Sequence, residues 1–372
     1  MVSALNILIT GSRGFIGKNL TVRLNEMGVN DVLTYNRGDN PDVLPTLIEQ
    51  SDVIVHLAGE MRPVDNNKLF TANVGLTEKI CTIIKNSNKK KMLLLASSIQ
   101  AEQDNPYGLS KSQAEQVVIE LSNETGNPVV VYRLPHVFGK WCKPNYNSVI
   151  ATFCFNISRG IPIKINDPDA IIKPVYIDDV VSEFIRVINN PIDGFSRAKV
   201  SPEYEISIGE LAHQLNGFKN SRDILISGRT GVGLTRALYS SYMSYLAPDK
   251  FSYVIPVYRD ARGLFVEILK TLDAGQFSYF SALPGVTRGS HYHHTKTEKF
   301  LVVSGKARFR FRNIIDNECV EIFTSGDIPK IVETIPGWAH DITNVGENDM
   351  LAILWANEIY DQNNPDTIAC KV

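Results

Sequence analysis

The chain has 372 residues, room for about two domains, and its 44% hydrophobic and 21% charged residues are the make-up of an ordinary globular protein. A net charge of −2 gives no electrostatic ground for binding nucleic acid or an anionic membrane surface. No apolar run reaches membrane-spanning length, and the start of the chain enters a strand-like segment without a basic leader, so neither a membrane partner nor a cleaved signal peptide is expected. The five cysteines (Cys81, Cys142, Cys154, Cys319, Cys370) are scattered without a C-x-x-C pair. They read as reduced thiols of a cytoplasmic protein, neither a disulfide frame nor a cysteine metal site.

In chain order, Leu5–Ile9 reads as a short apolar strand. Thr10-Gly11-Ser12-Arg13-Gly14-Phe15-Ile16-Gly17 follows at once, then a helical pattern (Ile16, Leu20, Leu24) that runs to Gly28. Between a strand and a helix, Gly11 permits the tight turn, Gly14 lets the backbone approach a pyrophosphate, and Gly17 brings the helix close to the strand. The free N–H groups at the helix start favour phosphate. A glycine-rich turn without a ligand is the plain alternative. The next strand, Val32–Tyr35, ends in Asn36-Arg37, where a NAD-binding fold usually carries an acid for the ribose 2′-hydroxyl. None stands there. Arg37, with Arg13 in the glycine loop, suits a 2′-phosphate, so NADP is expected over NAD; a solvated loop arginine is the alternative.

Asp52–His56 is the third strand and runs into a small-residue turn, Leu57-Ala58-Gly59, with room for a flat ring. Asn73 opens a helix through Cys81 and Ile84. Met92–Leu95 is a strand that delivers Ser97-Ser98 and then Tyr107 and Lys111. A phenol and an ammonium at i and i+4 share one helical face, and the charge is expected to lower the tyrosine's pKa. With a hydroxyl nearby, Tyr107 then serves as general acid toward an alkoxide formed by hydride transfer. Tyr-x-x-x-Lys alone is also an ordinary amphipathic helix start. Val129–Arg133 is a fifth strand. The alternation from residue 5 to about 190 predicts an α/β doubly wound parallel sheet of the Rossmann type, with ligands at the carboxyl ends of its strands.

Residues 139–165 carry Trp141, Lys143, Tyr146 and Asn147, which suit uracil stacking and a diphosphate as well as a loop clamped by its own aromatics. From Asn216 to Asp249 the pattern loosens and reads as a connector, with Tyr239, Tyr242 and Tyr245 as anchors. After Phe251, short alternating runs (Phe265–Leu269, Gln276–Phe280, Phe300–Val303, Ala307–Phe311, Val320–Phe323, Met350–Trp355) predict an all-β sandwich or barrel. Its chemical centre is His291-Tyr-His293-His294 with Glu298, and Pro336-Gly337-Trp338-Ala339-His340 brings a further imidazole. Three histidines (His291, His293, His340) and Glu298 form a ligand set suited to Zn, Fe, Mn or Ni, zinc first. Four of the seven histidines lie in this region, which favours a metal over core or surface histidines.

Taken together, Thr10-Gly11-x-x-Gly14-x-x-Gly17, His56-Leu57-Ala58-Gly59, Asn73, Ser98, Tyr107-x-x-x-Lys111, Arg133-x-Pro135 and Tyr176-Ile177-Asp178-Asp179-Val180 resemble an extended short-chain dehydrogenase/reductase acting on nucleotide sugars. The resemblance makes Ser98 the active hydroxyl and Ser97 structural; His136 departs from the usual Asn. Gly285-x5-His291-x-His293-x4-Glu298-x6-Gly305 matches the first motif of cupins. Pro336-Gly337-x-x-His340-x-x-x-Asn344 fits the second, although Gly326 lies ten positions before Pro336. The runs Asp260–Glu267 and Gln276–Ser278 resemble metal-free deoxysugar epimerases, which gives His291 a competing role as base; ligation is favoured. An extended reductase (1–245), a linker (246–252) and one cupin (253–372) resemble the CapF family of surface-polysaccharide enzymes along the whole chain.

That resemblance implies a UDP-2-acetamido-2,6-dideoxy-4-hexulose as substrate, C3 epimerisation by the cupin, and NADPH reduction at C4 to the L-talose sugar. The product leads on to UDP-N-acetyl-L-fucosamine. It also implies a homodimer. A related 4-ketoreductase with a structural cupin, making a quinovosamine- or rhamnosamine-type sugar, and a non-catalytic nucleotide-sugar sensor are the rival readings.

Overall fold

The computed structural model describes residues 5–29, 32–61, 67–255, 258–260, 263–265, 270–271, 275–358 and 363–372. They form two compact units, residues 1–137 with 173–205, and residues 138–172 with 206–372. The second unit therefore starts inside the stretch that sequence texture assigns to the first domain.

In the first unit, β1 (Ile7–Thr10), β2 (Leu33–Tyr35), β3 (Val53–His56), β4 (Met92–Ser98), β5 (Val129–Leu134) and β6 (Phe195–Ala198) form one sheet in the order β2-β1-β3-β4-β5-β6. Every pairing is parallel, as the strand–helix alternation predicts. The central strands are continuous apolar runs because helices cover both faces; every residue of β1 and β3 is buried. Helix α1 (Phe15–Glu26) follows β1, α2 (Leu44–Gln50) follows β2, and α3 (Leu76–Lys85) and α4 (Pro106–Thr125) flank β4. Leu8, Ile54, Leu93, Leu95, Val129 and Val131 pack with Ile80, Ile84 and Val118 into one core. At the carboxyl ends of β1, β3 and β4 stand the polar residues Thr10, His56 and Ser98.

The second unit contains two five-stranded sheets, antiparallel throughout. One holds β7 (Ser252–Val254), β8 (Gln276–Ala282), β10 (Glu298–Ser304), β13 (Lys330–Glu333) and β15 (Met350–Ala356), in the order β7-β13-β10-β15-β8. The other holds β9 (Thr287–Tyr292), β11 (Lys306–Asn313), β12 (Cys319–Ser325), β14 (Trp338–Asn344) and β16 (Ile368–Ala369), in the order β12-β11-β14-β9-β16. Most of the expected strands occur within a residue or two. Positions 261–262 and 266–269, within the runs Asp260–Glu267 and Phe265–Leu269, lie outside the described residues.

The stretch expected as a connector is partly helical: Ile208–Ile224 and Gly233–Ser244 are helices, and Tyr239 and Tyr242 are core residues. Its serines and glycines hid a helix in which Tyr239 and Tyr242 are buried together with Ala237, Leu238 and Met243. Phe218 meets Tyr239 edge-on, with ring centroids 5.1 Å apart. A buried charge cluster ties these helices to the sheet. Glu333 on β13 pairs with Lys299 on β10 and, at 3.0 Å, with Arg222. Burial alone would raise the Glu333 pKa, but the two cations hold it below the usual carboxylate range. Glu333→Gln strips the anion from two largely buried cations. It is expected to cost about 3–5 kcal/mol, measured by denaturant unfolding; a loss under roughly 1 kcal/mol would place the cluster among weak surface pairs. Among the described residues, no helix is long and apolar enough to cross a membrane.

Candidate functional site

Two side-chain constellations stand out, one in each unit. In the first, the glycine loop between β1 and α1 is compact for steric reasons. Gly11 has φ +74°, and a Cβ there would stand 2.8 Å from the Ala58 nitrogen, so the loop lies directly on the Leu57–Ala58 turn. A Cβ on Gly17 would meet the Gly11 carbonyl at 2.4 Å, which presses the first turn of α1 against the loop. Gly14 is the N-cap of α1 and makes no side-chain cap, leaving Phe15, Ile16 and Gly17 to open the helix. Asn36 braces the loop from the end of β2, accepting from the Ser12 hydroxyl and the Arg13 amide at 3.1 Å each. Arg13 and Arg37 are exposed there. Arg37 pairs with Glu60, and Arg13 stands 3.9 Å from Asp39. Asp39 is an acid near the end of β2 that the strand pattern did not bring out, and its carboxylate is engaged in accepting the Asn36 amide at 2.7 Å.

A polar chain that sequence reasoning missed fixes the turn after β3. His56 Nδ1 is 2.6 Å from the Thr10 hydroxyl, and its Nε2 is 3.0 Å from the Thr77 hydroxyl. Thr77 donates to the Asn73 carbonyl at 2.6 Å, so it must accept from Nε2–H, and Nδ1 then accepts from Thr10. Thr10 in turn accepts the Ala58 amide at 3.2 Å. Burial, assisted by Lys111, lowers the His56 pKa to about 3, so this imidazole is a neutral bracket. Asn73 lies in a π-helical turn, Thr71–Gly75, ahead of α3, an irregularity that recurs at functional sites. Its amide bridges the Glu60 backbone and the Ser110 hydroxyl.

Ser98 ends β4, and Tyr107 and Lys111 lie in the first turns of α4. Asn105 caps that helix by accepting the Gly108 amide at 2.8 Å. Gly108 permits the fit, since a Cβ there would stand 2.2 Å from the Gln100 carbonyl. Ser97 donates to buried Glu115, which Arg133 grips with two nitrogens, whereas the Ser98 hydroxyl bonds the Tyr107 phenol. Lys111 is buried, donates to the Ala96 carbonyl at 3.2 Å, and lies under Gly59, whose missing Cβ would stand 3.2 Å from its Nζ. Burial, partly opposed by Glu115, brings its pKa down to about 8. The expectation that Lys111 lowers the Tyr107 pKa is corrected here. Burial raises the phenol's pKa, and the opposing pull comes from the Ser98 hydroxyl. The ammonium is directed at Ala96.

In the second unit, His291 is the penultimate residue of β9, His293 follows the strand, Glu298 opens β10 in the other sheet, and His340 lies on β14. Their ligand atoms all lie within 4.8 Å of one another. The register of β9 against β14 shifts between Gly289 and His291, a bulge that sets His291 opposite His340. Glu298 Oε2 stands 3.2 Å from His293 Nε2 and 3.6 Å from His340 Nε2. His293 Nδ1 bonds the Asp366 carbonyl, and His340 Nδ1 bonds the Trp338 carbonyl at 3.2 Å, which turns both Nε2 atoms toward the carboxylate. Burial would raise the Glu298 pKa, but the two imidazoles hold it well below its ordinary value. Burial and the neighbouring imidazoles bring His291 down to about 4. A divalent metal requires an ionised carboxylate and free imidazole lone pairs, and the low Glu298 pKa meets the first of these.

The set fits such an ion. Bonds of about 2.0–2.2 Å would draw the four donors slightly closer, and His340 Nε2 is a buried nitrogen without a hydrogen-bond partner among the described residues. Trp141, expected near a uracil, packs its ring on Gly337 in the turn leading to His340, at a left-handed φ of +67°. Lys143 lies over the Tyr146 ring at 5.3 Å, and Tyr245 donates to the Cys142 carbonyl at 2.5 Å.

Comparison with known proteins finds family matches over two stretches of the chain. Residues 7–201 match the NAD dependent epimerase/dehydratase family, and residues 258–368 match the polysaccharide biosynthesis C-terminal domain. A UDP-2-acetamido-2,6-beta-L-arabino-hexul-4-ose reductase from Pseudomonas aeruginosa is 53% identical over 99% of both chains. The crystal structure of the capsular polysaccharide assembling protein CapF from Staphylococcus aureus is 42% identical, with TM-score 0.66, over 99% of this chain and 100% of that one. The chain belongs to the CapF family. A more distant fold relative of this CapF-family chain is WbmF of Bordetella bronchiseptica, solved with NAD+ and UDP. It is 19% identical with TM-score 0.56, over 64% of this chain and 92% of that one.

Proposed function

We propose that the chain reduces the C4 ketone of a UDP-2-acetamido-2,6-dideoxy-hexos-4-ulose with NADPH, after its second unit has inverted C3. The product is UDP-2-acetamido-2,6-dideoxy-L-talose, on the way to UDP-N-acetyl-L-fucosamine and a surface polysaccharide. The observation that carries this reading is the Ser98–Tyr107–Lys111 set beside a glycine loop, in a chain 53% identical to a protein named for reduction of such a 4-ketone. The two antiparallel sheets with the imidazole centre are read as a cupin, and a homodimer belongs to the same reading.

Gly11, Arg13, Gly14, Phe15, Ile16, Gly17, Arg37, Leu57, Ala58, Gly59 and Lys111 would hold the cofactor, which supplies a hydride when bound. Ser98 orients the ketone oxygen, and Tyr107 gives it a proton as charge develops there. Lys111 holds a positive charge one turn beyond Tyr107 on the same helix, anchored on the Ala96 carbonyl. In the second unit His291, His293, Glu298 and His340 would hold a divalent metal, zinc first, which supplies Lewis acidity. The C3 proton is acidic only while C4 is a ketone, so it must leave and return on the opposite face before reduction.

The deciding experiment is mass and NMR analysis of the product formed in D2O with NADPH. The expected product carries one deuterium at C3 and the talo configuration. A reduced sugar with C3 retained and unlabelled would make the second unit structural. No NADPH consumption with any UDP-4-keto sugar would favour the sensor. Arg37→Ala is expected to raise KM for NADPH about 10-fold or more, given roughly 1.5–3 kcal/mol for a charged hydrogen bond. KM for NADH should hardly move, and equal changes for both cofactors would sink the NADP preference.

A further inference from the structure

The segment that joins His293 to Glu298 is held by side chains from far along the chain. Through Oδ1 the Asp366 carboxylate accepts the His294 amide at 2.8 Å. Through Oδ2 it accepts the Thr295 amide at 2.6 Å, the Lys296 amide at 2.7 Å and the Thr295 hydroxyl at 3.0 Å. The carbonyl of the same residue accepts His293 Nδ1–H. Asn357, fully buried, accepts the Thr297 amide at 2.8 Å and donates to the Thr295 carbonyl at 3.3 Å. Just beyond Asp366, β16 pairs with His291 and Tyr292 on β9, and the Cys370 amide donates to the Ser290 carbonyl at 2.9 Å.

Three successive amides converging on one carboxylate fix the path of the backbone between two candidate ligands. Thr295 and Lys296 are buried, so those N–H groups would cost free energy without that acceptor. The carbonyl of Asp366 acts on the ring itself: it selects the tautomer of His293 with hydrogen on Nδ1 and leaves Nε2 as the donor atom. One residue thus controls both the main chain behind His293 and the direction in which its lone pair points. Partners of this kind orient metal-bound imidazoles and raise their basicity.

We propose that Asp366 is a positioning residue of the His/Glu centre, setting His293 and the approach to Glu298. This rests on the reading of that centre as a metal site. The test uses the full chain and its variants Asp366→Asn and Asp366→Ala, loaded with zinc or with Co(II). Zinc affinity in chelator competition is expected to fall about 10–100-fold, and the visible bands of the Co(II) form to change position and intensity. The metal-free variants are expected to keep the wild-type far-UV dichroism and a cooperative melt. Folded variants with wild-type zinc affinity and an unchanged Co(II) spectrum would overturn the proposal. Loss of the fold in both variants would overturn it too, because the carboxylate would then serve the stability of the chain. A wild-type chain that retains no metal overturns the metal reading itself and takes this inference with it, an outcome visible before any variant is made.

Discussion

Tyr107→Phe is expected to cut NADPH oxidation on the keto sugar by about 10²–10⁴-fold, the usual worth of a positioned general acid, while solvent deuterium continues to enter C3. The phenol is half-buried, bonded to Ser98, and carried on a helix start that Asn105 caps and Gly108 fits against the Gln100 carbonyl. Removing one oxygen gives up the bond to Ser98 but leaves the Asn105 cap and the Gly108 fit in place, so the fold and NADPH binding should be retained. Because burial raises the Tyr107 pKa, the group is a protonated acid at neutral pH, poised to give its proton to an alkoxide. The separation of the two readouts matters most. NADPH oxidation at the wild-type rate would remove Tyr107 from the reaction, and loss of deuterium entry in metal-loaded Tyr107→Phe would remove the second unit as the epimerase.

The parallel sheet was legible because its strands are apolar on both faces, which leaves residues 7–9, 53–55 and 129–132 as unbroken hydrophobic runs. The glycine loop was equally plain, since Gly17 is required by contacts within a single strand–loop–helix unit, although Gly11 makes room for Ala58 from a distant turn. The four candidate ligands of the second unit were read from two short motifs, and the folded chain brings them together. Devices assembled from distant segments left no such trace. Asp366 meets the Thr295 turn across some seventy positions, and His56 depends on Thr10 and Thr77 from two other elements. The i, i+4 spacing did put Tyr107 and Lys111 on one helix. It carried no information on burial, which reverses the expected direction of the Tyr107 shift. Tyr239 and Tyr242 were read as anchors of a connector because serine and glycine surround them; they are buried, on a helix that the same serines and glycines concealed.

Glu298→Gln is expected to lower C3 exchange by roughly 10³-fold, since Lewis acidity at such a site is worth several kcal/mol, and to leave reduction of a sugar already inverted at C3 intact. Glu298 is the one anion among the four candidate ligands. It lies in the sheet opposite the three imidazoles, with Oε2 3.2 Å from His293 Nε2 and 3.6 Å from His340 Nε2. A neutral amide keeps the volume but removes the charge that offsets a divalent ion. Metal content, measured by mass spectrometry, should fall together with exchange. If exchange falls while the metal is retained, Glu298 acts on the proton itself and the ion has another holder. If both persist, the convergence of His291, His293, Glu298 and His340 serves packing between the two sheets, and the inversion of C3 must be sought elsewhere. The order of the two reactions gives the variant one more consequence. With C3 exchange blocked, NADPH is consumed only as fast as the reductase accepts the uninverted ketone, so the sugar that accumulates reports directly on the stereochemical selectivity of Ser98 and Tyr107.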